Sequence, residues 1–402
     1  MSHTEAMGDD VAPCPLMPNY GAPPVMFVRG EGTELWDRAG KRYLDFLTGL
    51  AVVSLGHSHP GVARAVADQA LTLQHTSNLF ANEHQAPVAR TLDALVTGRD
   101  PSAPATVGGQ VLFQNSGAEA NEGALKLARK YHGRGRHVVL SAFRSFHGRT
   151  MATLAATGQP EKHEPFEPLP EGYRHAAWND ADAFAAALDP TVGAILLEPL
   201  QGEGGVNEAT IDFFGSIRQL CDERGILLIL DEVQCGLART GEWFGFQHFG
   251  IEPDIVTMAK ALGNGMPVGA VWARTEVASA FSAGDHGSTF AGQPLALAAA
   301  RATLDTMIEL DAPSLAREGG MFLRDRLAAL DHVTSVRGLG LLLAIELDQP
   351  VAQAVGRACL QAGLIVNAMG DNSIRVAPPL TVSTDHMVEA VTILGAAIGE
   401  AT

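Results

Sequence analysis

Hydrophobic and polar positions change rhythm along the chain, and the changes divide it. Residues 1–17 are polar and Pro-containing, which predicts a loose arm. Between Met26 and Leu47, short apolar stretches are broken by turn residues. Strands are expected over 25–29, 34–37 and 42–46, with turns at 30–32 and 39–40. Beyond about residue 60, apolar runs at 111–114, 138–142, 194–197, 226–230, 255–258 and 269–273 alternate with segments of helical period. Ala120, Ala124, Leu127, Ala128 and Tyr131 repeat at helical spacing, as do Ile211, Phe214, Ile217 and Cys221. Short β-rich runs separated by helices predict parallel βαβ units, hence an α/β fold with a doubly wound, mostly parallel sheet. Beyond about residue 300 the texture shifts again. Helices are expected over 293–310 and 314–330, a β-rich stretch over 333–347 and a helix over 350–362. Strands at 364–367 and 374–376 precede a last helix carrying Met387, Val391, Leu394 and Ile398. The expected division is residues 1–60 as an arm and a segment packing with the small domain, 61–300 as the large domain, and 301–402 as a smaller α/β domain.

Composition narrows the partners. At 402 residues and 46% hydrophobic, the chain can bury a large core. Its formal charge of −17 repels phosphate backbones and anionic lipid, so neither nucleic acid nor a membrane surface is an expected partner. Cys14, Cys221, Cys235 and Cys359 form neither a disulfide framework nor a zinc module, which fits a reducing compartment. The longest apolar runs, 226–230 and 339–345, fall far short of the roughly 20 residues of a membrane helix. Glu5, Asp9 and Asp10 stand where a signal peptide carries positive charge. The expected location is the cytoplasm.

In a doubly wound sheet, ligands gather at the carboxyl ends of the strands. After 111–114 come Asn115, Ser116, Gly117 and Ala118, then a helix. A Ser-Gly step opening a helix offers free N–H groups and the positive end of the dipole to a phosphate. It serves an ordinary serine-capped turn equally well. After 226–230 come Asp231, Glu232, Val233 and Gln234, where buried acids need donors, a metal or a helix end. After 255–258 comes Lys260, followed by a Gly-rich turn. A lysine there either snorkels to the surface or, desolvated near an acid, becomes a nucleophilic amine. A phosphate cradle, a strand-end acid and a strand-end lysine are together the three handles of pyridoxal phosphate. The chain lacks GxGxxG after a first strand and lacks GxxxxGK[ST], so the phosphate site carries no dinucleotide or triphosphate signature.

The motifs are long: Leu55-Gly-His-Ser-His-Pro60, Asn115-Ser-Gly-Ala-Glu-Ala-Asn-Glu122, Phe146-His-Gly-Arg-Thr150, Glu198-Pro-Leu-Gln-Gly-Glu203, Leu230-Asp-Glu-Val-Gln234, Ala259-Lys-Ala-Leu-Gly263 and Gly287-Ser-Thr-Phe290. In these the sequence resembles the class III (omega) pyridoxal-phosphate aminotransferases from about Pro18 to about Leu380. Within them, Tyr20-Gly-Ala-Pro-Pro24 and Ser77-Asn-Leu-Phe80 resemble the branch acting on acylated ornithine. The resemblance implies a large domain built around pyridoxal 5'-phosphate. It gives the cofactor phosphate to Gly117 and Ala118, the ring face to Phe146 and the ring nitrogen to Asp231. Gln234 takes the phenolic oxygen, in a strand-end run Asp231-Glu232-Val233-Gln234 taken whole as cofactor-binding. Lys260 is the implied Schiff-base partner and proton carrier. Thr289 would reach the phosphate of a neighbouring subunit's cofactor, which implies a homodimer with active sites at the interface.

The same resemblance divides the substrate contacts. Arg149 would clamp the distal carboxylate of either substrate by bidentate bonds, and Arg375 the α-carboxylate of glutamate or 2-oxoglutarate. Glu203 would cover Arg375 while the ω-amine is bound; a structural ion pair is the alternative. Tyr20 and Ser288 complete the implied substrate contacts. Succinyl-ornithine, succinyl-diaminopimelate, ornithine and 4-aminobutyrate remain open as donors, as do other pyridoxal-phosphate reactions on the scaffold. Two departures bear on the acyl tail. Phe80-Ala-Asn82 stands where Phe-Tyr-Asn is frequent, and Ala291-Gly-Gln-Pro294, with Gln293, stands where Gly-Gly-Asn-Pro is usual. His57 and His59 are read as a tight turn and His147 as a residue behind the site, with no metal expected.

Overall fold

Seven strands form the central sheet in the order Gly109–Gln114, Gly269–Arg274, Ile255–Met258, Leu227–Asp231, Val192–Leu197, Val138–Ala142 and Tyr173–Ala176. The computed structural model describes residues 16–101 and 107–402; most of the predicted arm, residues 1–15, lies outside them. The three middle strands from Leu227–Asp231 to Val138–Ala142 are buried at every position, as sheets covered by helices on both faces require. That is why they read as continuous apolar runs rather than alternating ones.

Two features depart from the βαβ expectation. Gly269–Arg274 runs antiparallel to both its neighbours, while the remaining pairs are parallel. The edge strand Tyr173–Ala176 went unrecognised because Tyr-Arg-His-Ala carries only one fully buried residue and no apolar run. Helix Gly117–His132 lays Ala120, Ala124, Leu127 and Ala128 on the sheet, and helix Ile211–Arg224 buries Phe214, Ile217 and Cys221. Tyr131 and Ile211, at the ends of these helices, are instead 41% and 65% exposed.

Among the described residues, two four-stranded sheets and a two-stranded antiparallel pair, Leu200–Gln201 with Asn207–Glu208, complete the architecture. In one four-stranded sheet, Phe27–Glu31, Glu34–Asp37 and Arg42–Asp45 are joined by Leu364–Ile365, so the N-terminal segment pairs with the C-terminal part of the chain. In the other the order is Val333–Leu339, Leu342–Leu347, Ser373–Val376 and Asn367–Met369. The stretch 333–347 is therefore a hairpin rather than one strand, turning at Gly340 with φ +53°. The single strand expected at 364–367 is likewise divided between the two sheets. Among the described residues, no helix is long and apolar enough to cross a membrane.

The antiparallel strand has a direct bearing on the strand ends. It begins at Gly269, paired with Gln114, and lies so close to the next turn that an added Cβ would stand 2.4 Å from the Ser116 carbonyl oxygen. Only a bare backbone fits there. Gly269→Ala is expected to cost about 1–3 kcal/mol by overpacking and to displace the Ser116–Gly117 turn. A lowered melting temperature together with faster amide hydrogen exchange at the Ser116–Gly117 turn checks this.

Candidate active site

The carboxyl edge of the central sheet opens into a cavity of about 390 Å³. Gly117, Ala118, Phe146, Arg149, Glu203, Asp231, Val233, Gln234 and Lys260 all line it, drawn together from segments far apart in sequence.

At one end, Ser116 caps the sixteen-residue helix Gly117–His132, its Oγ accepting from the Glu119 N–H at 3.2 Å. The first N–H groups and the positive end of the helix dipole face the cavity, which suits a phosphate. A Cβ at Gly117 would lie 2.7 Å from Val233 Cγ1, so the turn can close only around glycine.

Asp231 ends its strand 4% exposed. Its Oδ2 accepts from Asn121 Nδ2 at 2.7 Å and lies 2.8 Å from His147 Nδ1, while Oδ1 accepts from the Val233 N–H at 3.1 Å. Thr257 Oγ1 donates to Asn121 Oδ1 at 2.7 Å, which turns the Asn121 amide nitrogen toward the acid. That nitrogen also donates to the His147 carbonyl at 2.8 Å. Asp231 is thus a buried acceptor supplied with donors from three segments, as burial of a carboxylate demands.

Lys260 follows the strand Ile255–Met258 at φ +43°, a left-handed conformation that costs a non-glycine residue about 1 kcal/mol and collects at functional sites. Burial pulls its amine below the ordinary lysine value, and Arg375 adds to this, although Glu203 and Asp231 pull the other way. Phe146 forms a wall of the cavity; its N–H donates to Glu198 Oε2 at 3.0 Å, and the Arg149 guanidinium stands 5.3 Å from its ring centre. Burial, with Asp231 nearby, holds the Glu198 carboxyl well above the usual carboxylate range.

Arg375 stands behind Glu203, only 1% exposed. Its Nη1 donates to Glu203 Oε1 at 2.6 Å and to the Gly202 carbonyl at 3.0 Å, and Nη2 donates to Asn367 Oδ1 at 2.8 Å. Burial raises the Glu203 carboxyl, but Arg375, Lys260 and the Gln234 amide outweigh it and hold it below the usual value.

Four candidates lie elsewhere. The Glu232 carboxylate accepts from the Gly245 and Phe246 N–H groups, and burial pushes it up to about 8, so its side chain is taken up outside the cavity. It caps a turn, the structural alternative for an acid at that strand end. Tyr20 is 96% exposed. Ser288 and Thr289 are also outside the cavity, though Ser288 Oγ accepts from Asn115 Nδ2 at 2.9 Å. The departures are likewise remote from it: Ala81 is exposed, the Ala291 carbonyl accepts from Asn78, and Gln293 caps the helix Pro294–Glu309.

Sequence reasoning left Asn121, Thr257, Glu198 and Val52 without roles. Asn121 was legible as the residue one helical turn beyond Gly117, and Thr257 as the polar member of an apolar strand. Val52 was not legible. It reaches the cavity after a turn in which Thr48, Gly49, Leu50 and Ala51 all have positive φ (51°, 66°, 68° and 63°). Asp45 anchors that turn, accepting from the Leu47 and Thr48 N–H groups at 2.9 and 2.7 Å. His57 Nε2 lies 2.8 Å from the same carboxylate, with Ser58 in a left-handed turn beside it.

A glycine-opened helix, a pinned strand-end acid and a desolvated lysine around one cavity define an aminotransferase-type site, and the chain belongs to the class-III aminotransferases, whose family model matches residues 16–398. It is 47% identical over 388 residues to the acetylornithine aminotransferase of Corynebacterium efficiens, covering 96% of this chain and 95% of that one. It is 44% identical over 393 residues to the acetylornithine aminotransferase of Caldanaerobacter subterraneus subsp. tengcongensis, covering 96% and 97%. Among solved structures, the ornithine aminotransferase of Toxoplasma gondii superposes with a TM-score of 0.88 at 32% identity, covering 96% of this chain and 93% of that one.

The Glu203–Arg375 pair sets a pH dependence. A carboxyl depressed in the folded state stabilises fully above its unfolded value and loses that contribution as pH falls through the lower folded one. Stability should therefore fall between about pH 5 and 3, and Glu203→Gln should remove part of that slope while leaving the slope above about pH 6 unchanged. Urea unfolding across this range measures it.

Proposed function

We propose that this chain transfers the terminal amino group of N-acetylornithine to 2-oxoglutarate, giving N-acetylglutamate semialdehyde and glutamate, with pyridoxal 5'-phosphate as cofactor. The observation carrying this reading is the Glu203 carboxylate lying over a buried arginine, which we read as a removable cover. If Glu203 swings away, Arg375 keeps the Gly202 carbonyl and Asn367 Oδ1 as acceptors and frees Nη1 toward an incoming carboxylate. Such a device serves an enzyme that alternates between an ω-amine, with no carboxylate at the reacting carbon, and glutamate, with one there. A decarboxylase or racemase has no use for it.

The residues fit the cofactor. The Gly117 and Ala118 turn suits its phosphate, Phe146 one ring face, Asp231 a proton held at the ring nitrogen, and Gln234 its phenolic oxygen. Bound there, pyridoxal phosphate supplies an electron sink for the carbanion formed at the substrate carbon. Lys260, its amine biased toward the neutral form by burial, takes and returns the proton at that carbon. Arg149, exposed at the cavity mouth, grips the distal carboxylate common to both substrates. Burial of Asp231 and Arg375 keeps bulk water from those two charges, which strengthens their contacts.

The reading includes a homodimer, a large and a small domain with the 301–402 boundary given above, and work in the cytoplasm. Thr289 is exposed, and Phe290, Leu79 and Phe80 nearby are 62%, 87% and 68% exposed, an apolar patch suited to a second copy. Ser288, tied to Asn115 at the rim of the cavity, puts this patch beside the cofactor end, where the partner's phosphate site would meet Thr289.

Two outcomes test the reading. Lys260→Ala should fold and hold the cofactor without a covalent bond, yet lose turnover; borohydride reduction of the native enzyme should fix the cofactor to Lys260, and a label on another lysine overturns the assignment. Single-turnover rates of the separate half-reactions test the cover. Glu203→Ala should leave the glutamate half-reaction level or faster and slow that of N-acetylornithine by about 1–3 kcal/mol of transition-state free energy. Arg375→Ala should do the reverse, and Arg149→Ala should damage both. Parallel losses in Glu203→Ala would make the pair a structural ion pair only.

A further inference from the structure

One buried cation takes no part in the chemistry above. Arg239 lies beyond the strand Leu227–Asp231, after Leu237 and Ala238 at φ 56° and 72°, and is 1% exposed. Its Nη1 donates to the Leu341 carbonyl at 3.1 Å and to the Pro378 carbonyl at 2.5 Å, and its Nη2 to Ser54 Oγ at 2.9 Å. Among the described residues no carboxylate pairs with it, and its Nε has no partner. Burial alone brings the guanidinium down to about 9. A cation enclosed by neutral groups is costly, and neutral donors would close the same gaps at less cost. What they lack is a rigid planar fork that reaches acceptors on three separate segments at once.

Those segments matter. Ser54 lies two residues beyond Val52, which lines the cavity, and Pro378 lies three residues beyond Arg375. Main-chain bonds join the same pieces: the Leu341 N–H donates to the Arg239 carbonyl at 3.0 Å, and the Leu380 N–H to the Ser54 carbonyl at 2.7 Å. Gly340 approaches so closely that a Cβ there would stand 2.6 Å from the Arg239 carbonyl oxygen. The loop leaving Asp231 and the chain leaving Arg375 are thus fastened together at one guanidinium.

We propose that Arg239 is a positioning residue for the α-carboxylate site, setting where Arg375 stands relative to Lys260 and so the affinity for glutamate and 2-oxoglutarate without touching either. The proposal rests on Arg375 serving that carboxylate.

The test uses holoenzyme and the two half-reactions, with glutamate and with N-acetylornithine. Arg239→Lys and Arg239→Met should retain the cofactor's visible absorption and weaken glutamate binding by about tenfold or more, the scale of a misplaced contact. Their maximal rate with glutamate and the whole N-acetylornithine half-reaction should stay within about threefold. Ser54→Ala, which removes one arm only, should move glutamate binding the same way by about two- to fivefold. Millimolar guanidinium should restore part of the glutamate affinity of Arg239→Ala. Equal losses in both half-reactions that track a lowered melting temperature overturn the proposal, leaving Arg239 a general stabiliser. Where the Arg239 variants do not fold, unchanged glutamate affinity in Ser54→Ala overturns it. Arg375→Ala runs in parallel: if it spares glutamate binding, the functional reading of Arg375 is what fails.

Discussion

A carboxylate buried at the end of a central strand survives only if the protein gives it back the hydrogen bonds that water would have made. For Asp231 those come from Asn121 and His147 on one oxygen and from the Val233 N–H on the other. Much of the site follows from this requirement. Asn121 must lie one turn into the helix that starts at Gly117, so the helix must start there, and its N-terminus then faces the same cavity. Thr257 must orient Asn121, which ties in the neighbouring strand whose next turn carries Lys260. Phosphate cradle, acid and amine are thereby held in one frame by the satisfaction of a single buried acceptor.

Around that frame the charges are graded by how much solvent each has lost. Glu198 is driven toward its neutral form by burial beside Asp231, which spares the cavity a further anion. Glu203 keeps its charge because Arg375 is in contact. Lys260 lies between these influences with its amine eased toward the neutral form. A site meant to move a proton at carbon benefits from an amine that is neither firmly protonated nor exposed.

The elements that were legible in the sequence are those whose signal is local. Continuous apolar runs gave away the covered parallel strands, and Ser116-Gly117, Asp231 and Lys260 stood out because polar residues ending such runs have no packing reason to be there. What stayed hidden depends on tertiary context. The reversal of Gly269–Arg274 changes no side-chain pattern, since a buried strand looks alike in either direction. Tyr173–Ala176 joins the sheet with a single fully buried side chain, and Val52 owes its place to a left-handed turn among ordinary residues. Asp231 and Glu232 are neighbours in sequence, yet consecutive side chains along an extended chain point to opposite sides, so only Asp231 lines the cavity.

Gly202 illustrates how tightly the cover on Arg375 is interlocked with its surroundings. A Cβ added there would fall 1.5 Å from Gln234 Oε1, so the loop bearing Glu203 and the amide beside Asp231 occupy one shared volume. A side chain at 202 must push the Gln234 amide aside, away from the cavity it lines. The two positions therefore share a steric dependence that runs one way: a side chain at 202 displaces the Gln234 amide, whereas a shorter residue at 234 only opens space.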